Sequence, residues 1–103
     1  MNNYLINTTF VTERFFYDEL ISWLKLSFTK KAVESGVFTN PRIARVLSDE
    51  DVENVSVACE LTCDSLSQGT SWIDMHFQDV LNEMSEEQRS HTLFFTTCLK
   101  IEK

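Results

Sequence analysis

The sequence predicts an α+β fold in which the elements run β-α-β-β-α-β, and three observations carry that reading. Residues 55–62 alternate apolar and polar side chains, the period-two pattern of a strand with one face in a core. Two longer segments instead repeat apolar residues at steps of three and four, the spacing of one helical face. Each helical segment follows a strand-like one, and the two β-α-β halves have similar lengths.

The first strand is read at 4–11, where Tyr4, Ile6, Thr8 and Phe10 share one parity and Asn7 and Thr9 the other. Thr12 is placed as the N-cap of the first helix, with Glu13 in the first turn, where the helix dipole favours a negative charge. Phe16, Leu20, Trp23, Leu24 and Phe28 then line one face, with Tyr17 and Ile21 widening it, and the helix closes near Gly36, ahead of Pro41.

Strands two and three are read at 42–48 and 54–62, joined by a turn over the acidic run Asp49, Glu50, Asp51, Val52 and Glu53, whose like charges favour a solvated connection. The third strand sets Val55, Val57, Cys59 and Leu61 against Ser56, Ala58, Glu60 and Thr62. Asp64 or Ser65 caps the second helix, which carries Ile73, Phe77, Val80, Leu81 and Met84 inward and ends before His91, with Gly69 weakening its first turn. The last strand, 92–101, places Leu93, Phe95, Leu99 and Ile101 on one face and Phe94 and Cys98 on the other.

This order is the split β-α-β, or ferredoxin-like, arrangement: a four-stranded antiparallel sheet with both helices on one face, expected as one domain over residues 1–103. Right-handed crossovers put strands one and three at the centre. The uncovered face is then assigned Asn7, Thr9, Ser56, Ala58, Phe94, Thr96 and Cys98, too mixed for a surface in bulk water. A homodimer with sheets packed face to face, a dimeric α/β barrel, is the expected assembly.

Composition narrows the function further. With 16 acidic against nine basic residues, the formal charge of −7 opposes both nucleic acid and anionic membrane surfaces. No apolar run is long enough to span a bilayer, and the start lacks the pattern of a secretion signal, so a cytoplasmic location is expected. Cys59, Cys63 and Cys98 read as reduced thiols. On one extended strand Cys59 and Cys63 stand roughly 13 Å apart, beyond disulfide reach, and they lack the paired C-x-x-C of a metal site. Only Gly36 and Gly69 are available, so no glycine-rich phosphate cradle exists, and neither a metal nor a cofactor is expected.

The chain resembles a bacterial family of domains of unknown function, about 100 residues long and related in fold to the dimeric α/β-barrel proteins. The resemblance rests on Y-x-x-N-T-T at 4–9, W-L-K at 23–25, E-S-G-V-F at 34–38, R-V-L at 45–47 and F-x-T at 95–97. It implies a ferredoxin-like fold and a dimer, and it supplies no activity. Members often carry an aromatic residue in the middle of the third strand, where this chain has Val57.

The polar residues expected to converge on the open face are Asn7, Thr9, Arg45, Glu60 and Thr96, a set suited to a small polar ligand. Arg45, flanked by Ala44 and Val46, projects opposite to them and would hold a carboxylate by two hydrogen bonds or pair with Glu60. The first functional reading is therefore a small homodimeric binding or interaction module. The alternative is a cofactor-independent enzyme of the dimeric barrel type, monooxygenase or isomerase-like. That alternative names no catalytic residue: His76 and His91 read as surface or capping residues, and no cysteine has a base beside it in sequence. A closed cavity lined by Arg45 and Glu60 would favour the enzyme, and a dry, filled interface the module.

Overall fold

A computed structural model of the chain describes residues 3–47 and 53–102. Of the turn expected over Asp49 to Glu53, residues 49–52 lie outside them, as does Ser48 at the end of the expected second strand. Four strands, β1 (Tyr4–Glu13), β2 (Thr39–Arg45), β3 (Asn54–Cys63) and β4 (Thr92–Lys100), form one antiparallel sheet in the order β2-β3-β1-β4. Strands one and three hold the centre, as right-handed crossovers require.

Strand β1 runs two residues past its expected end because Thr12 and Glu13 pair with Val55 and Asn54. Thr12 is therefore not a helix cap; its hydroxyl meets that of Thr92 and donates to the His91 carbonyl. The chain turns instead through a 3₁₀ turn at Arg14–Phe16 and continues as α1 (Tyr17–Trp23), a π-helical turn (Leu24–Phe28) and α2 (Thr29–Glu34). The Thr29 hydroxyl donates to the Leu24 carbonyl at 2.8 Å, the same carbonyl that accepts the Thr29 backbone N–H across the wider turn. Ser35 caps the end, and Gly36 takes the left-handed φ of 81°.

Strand β2 begins three residues earlier than expected. Thr39 pairs with Thr62 and Arg42 with Glu60, so one extra residue is accommodated where Asn40 adopts a φ of 50° and Pro41 sits on the edge strand. The strand ends at Arg45, with the Val46 amide adding one more bond to the Ser56 carbonyl.

Ser65 caps α3 (Leu66–Leu81) by accepting from the Gln68 amide, and Gly69 within it is a packing residue. A Cβ there would lie 2.7 Å from Ile6 Cδ1 and 2.9 Å from Cys63 Sγ, so only glycine lets the helix lie this close to the sheet. A further short helix that the periodicity did not predict, α4 (Glu86–Ser90), is capped by Ser85 and leads into β4.

The core lies between these helices and one sheet face. Ile6, Phe10, Val57, Cys59 and Leu61 meet Leu20, Trp23, Leu24, Phe28, Phe77 and Val80. Phe10 is its centre, with ring contacts to Trp23, Phe28, Phe77 and Phe94. The Trp23 indole satisfies its N–H on the Val80 carbonyl at 2.9 Å, which ties the two long helical segments together.

Candidate functional site

The register of the sheet decides which side chains share its uncovered face. Residues directly opposite one another in antiparallel strands point the same way, and Val57, Cys59 and Leu61 are buried under the helices. Their partners on the same side are Ile43 and Arg45 on β2 and Phe10, Thr8 and Ile6 on β1, which carry Phe94, Thr96 and Cys98 with them on β4.

Four of the residues assigned to the open face, Phe94, Thr96, Cys98 and Arg45, therefore belong to the other one. Thr96 faces the helix side, its hydroxyl 3.0 Å from that of buried Thr8. Phe94 packs edge-on against Phe77 with centroids 4.9 Å apart, and Cys98 pairs with Ile6. Arg45 does project opposite to Ala44, but toward the helices, where its guanidinium stands 5.4 Å from the centroid of the Tyr17 ring. Arg45 and Glu60 lie on opposite faces, so they neither pair nor line one cavity.

The open face instead reads as four rows across β2, β3, β1 and β4. One row is Arg42, Glu60, Asn7 and Thr97; the next is Ala44, Ala58, Thr9 and Phe95. A third holds Ser56, Val11 and Leu93, and the fourth Thr62, Leu5 and Leu99. Leu93, Phe95 and Leu99 are 75%, 58% and 43% exposed, a line of apolar side chains along β4, while β2 and β3 present mostly small ones.

The polar row contains the face's ion pair. Arg42 Nε and Nη2 both approach Glu60 Oε1 at 2.8 Å, so Arg42 takes the partner that the sequence reading offered to Arg45. Asn7 Nδ2 donates weakly to Thr9 at 3.3 Å, whereas Asn7 Oδ1 is shut off from water and has no hydrogen-bond partner among the described residues. A hollow of about 250 Å³ beside the pair is lined by Leu5, Asn40, Arg42, Glu60 and Thr62. A small polar ligand on this face would meet Asn7, Thr9, Glu60 and Arg42, and not Arg45 or Thr96.

The helix side offers little reactive chemistry. Burial, with a smaller contribution from the Glu60 charge, pushes the Cys59 thiol up to about 12, so it stays protonated and unreactive near neutral pH. Burial also raises Cys63, helped by Cys98 and Asp64. His91 pairs with Glu13 and stacks on Phe16 at 5.0 Å, a connection between β1 and the start of β4. Among the described residues no three His, Cys, Asp or Glu side chains gather as metal ligands, and no helix is long and apolar enough to cross a membrane.

Residues 3–102 match the model of the family described as domain of unknown function (DUF4286), and the chain belongs to that family. In structure it is similar to two dimeric ferredoxin-like proteins, each from an uncultured marine organism. One is 14% identical with a TM-score of 0.60, the match covering 97% of this chain and 95% of the other. The second is 13% identical with a TM-score of 0.52, covering 96% and 95%. At this identity the likeness establishes the fold, ferredoxin-like. No curated protein matches the chain in sequence.

Proposed function

We propose that this DUF4286 chain is a one-domain homodimeric interaction module that self-associates through the open face of its sheet. One observation carries the reading. Leu93, Phe95 and Leu99 stand exposed on the face that lacks helices, beside half-buried Leu5 and Val11. An antiparallel sheet leaves a face in water when that face is polar, and an apolar one exposed in a single chain marks a contact surface. The two similar ferredoxin-like structures, both described as dimeric, support the same assembly. Three free thiols, two of them buried, suit a reducing compartment such as the cytoplasm.

Light scattering tests the proposal. The wild-type chain at tens of micromolar is expected at twice its 12.0 kDa mass, and Phe95→Lys at 12.0 kDa with its circular dichroism unchanged. A wild-type mass of 12.0 kDa throughout that range removes the proposal.

A further inference from the structure

The rows of the open face also specify how a second copy is oriented on it, an inference that rests on self-association through that face. A face-to-face dimer has its two-fold axis in the plane between the sheets, and two orientations are simple. If the axis runs along the strands between β1 and β3, each row meets itself, with β4 over the partner's β2 and β1 over the partner's β3. If it runs across the strands, each strand meets itself and the order of the rows is reversed.

We infer that the axis runs along the strands, so that the apolar ridge of β4 in one copy seats on the small-residue side of the other. Phe95 then falls on the partner's Ala44, Thr9 on the partner's Ala58 and Val11 on the partner's Ser56. Leu5 meets the partner's Thr62. Large side chains meet small ones on both sides of the axis, which is what an isologous interface demands of a single surface.

Charge complementarity selects the same orientation. Glu60 comes to face the partner's Asn7 carboxamide, an N–H donor, and Arg42 faces the partner's Thr97 hydroxyl. With the axis across the strands, Arg42 and Glu60 would press on the partner's Ala44 and Ala58, and an ion pair would lose water to methyl groups that return no hydrogen bond. The face is also large enough. Four strands about 4.8 Å apart and nine residues at about 3.4 Å give roughly 600 Å² per copy, the lower bound of a specific interface.

Mixing two defective chains tests the seating. Phe95→Ala opens a hole opposite the partner's Ala44, and Ala44→Phe sets ring against ring, so each variant alone is expected to dimerise about tenfold more weakly. In a mixed dimer every large side chain again meets a small one. Sedimentation equilibrium should therefore give a mixed dimer within about threefold of wild type. A mixed dimer no tighter than the two parents overturns the seating while leaving self-association in place; a wild-type chain that stays monomeric overturns both. The pair Val11→Ser and Ser56→Val repeats the test nearer the axis with smaller changes in volume, should either first variant fail to fold.

Discussion

On one side of the sheet Ile6, Phe10, Val57 and Leu61 disappear beneath Leu20, Leu24, Phe28 and Phe77; on the other, Leu5 and Val11 alternate with Ile6 and Phe10 along β1, and Leu93 and Phe95 stand beside them on β4, on the face that lacks helices. The two faces share a backbone and a hydrogen-bond ladder, yet only one finds its cover within the chain. An apolar parity on a strand thus states that a face is to be buried, and the rest of the fold decides whether the burying layer is the same molecule or another. Substitutions on the covered face should therefore change the stability of the monomer, and those on the open face its assembly.

The largest expected effect is on the covered face. Phe10→Ala removes a ring that touches four other aromatic residues at zero exposure, and a hole of that kind costs about 3–5 kcal/mol. Urea unfolding of dilute protein, where any dimer has dissociated, measures it. Phe95→Ala under the same conditions should stay within about 0.5 kcal/mol of wild type. Equal losses for the two rings would erase the distinction between the faces.

How much of this was legible beforehand differs by strand. The β3 alternation, with Val55, Val57, Cys59 and Leu61 inward, is the pattern in the structure, because a central strand with one buried and one half-buried face shows its period plainly. Strand β4 did not show its orientation. Phe94 and Phe95 are both apolar, so neither parity looks outward, and the pairing of Phe94 with Phe10 settles it. Thr96 and Cys98 were misplaced with Phe94 for that reason. Arg42 and Arg45 stand three positions apart on one strand, so they must face opposite ways; choosing between them needed the register that the irregularity at Asn40 and Pro41 sets. The π-helical turn at Leu24–Phe28 left the apolar stripe legible, since Leu20, Trp23, Leu24, Phe28 and Ala32 all remain buried across it.

A smaller effect is expected where helix and sheet touch. Gly69→Ala gains helix propensity of about 1 kcal/mol, but its methyl would strike Ile6 Cδ1 and Cys63 Sγ at 2.7 and 2.9 Å. Overpacking of a fixed contact costs about 1–3 kcal/mol, so a net loss is expected. Ile6→Val removes the nearer of the two atoms. The double variant should therefore be more stable than the sum of the single effects predicts. Strict additivity in urea unfolding would mean that α3 moves away from the sheet instead, and that the covered face is less rigid than its packing implies.

A smaller effect still than that of Gly69 is expected for the two arginines, one on each face. Arg42 is an exposed member of its ion pair with Glu60, and pairs of this kind contribute about 0–1 kcal/mol. Arg42→Ala should therefore cost the monomer under about 1 kcal/mol, and the loss should fade at 1 M salt, where screening reaches about 3 Å. Arg45 lies over the Tyr17 ring, a contact of about 0.5–1 kcal/mol at an exposed site. Its removal should be matched by Tyr17→Leu, and the double variant should lose no more than either single one. On assembly the two part company. Arg42 lies in the face proposed to meet a second copy, so Arg42→Ala should weaken dimerisation measurably, whereas Arg45→Ala, exposed on the helix side of the sheet, should leave the dissociation constant unchanged. A dimer weakened by Arg45→Ala and indifferent to Arg42→Ala would place the contact on the helical side and reverse the roles of the two faces.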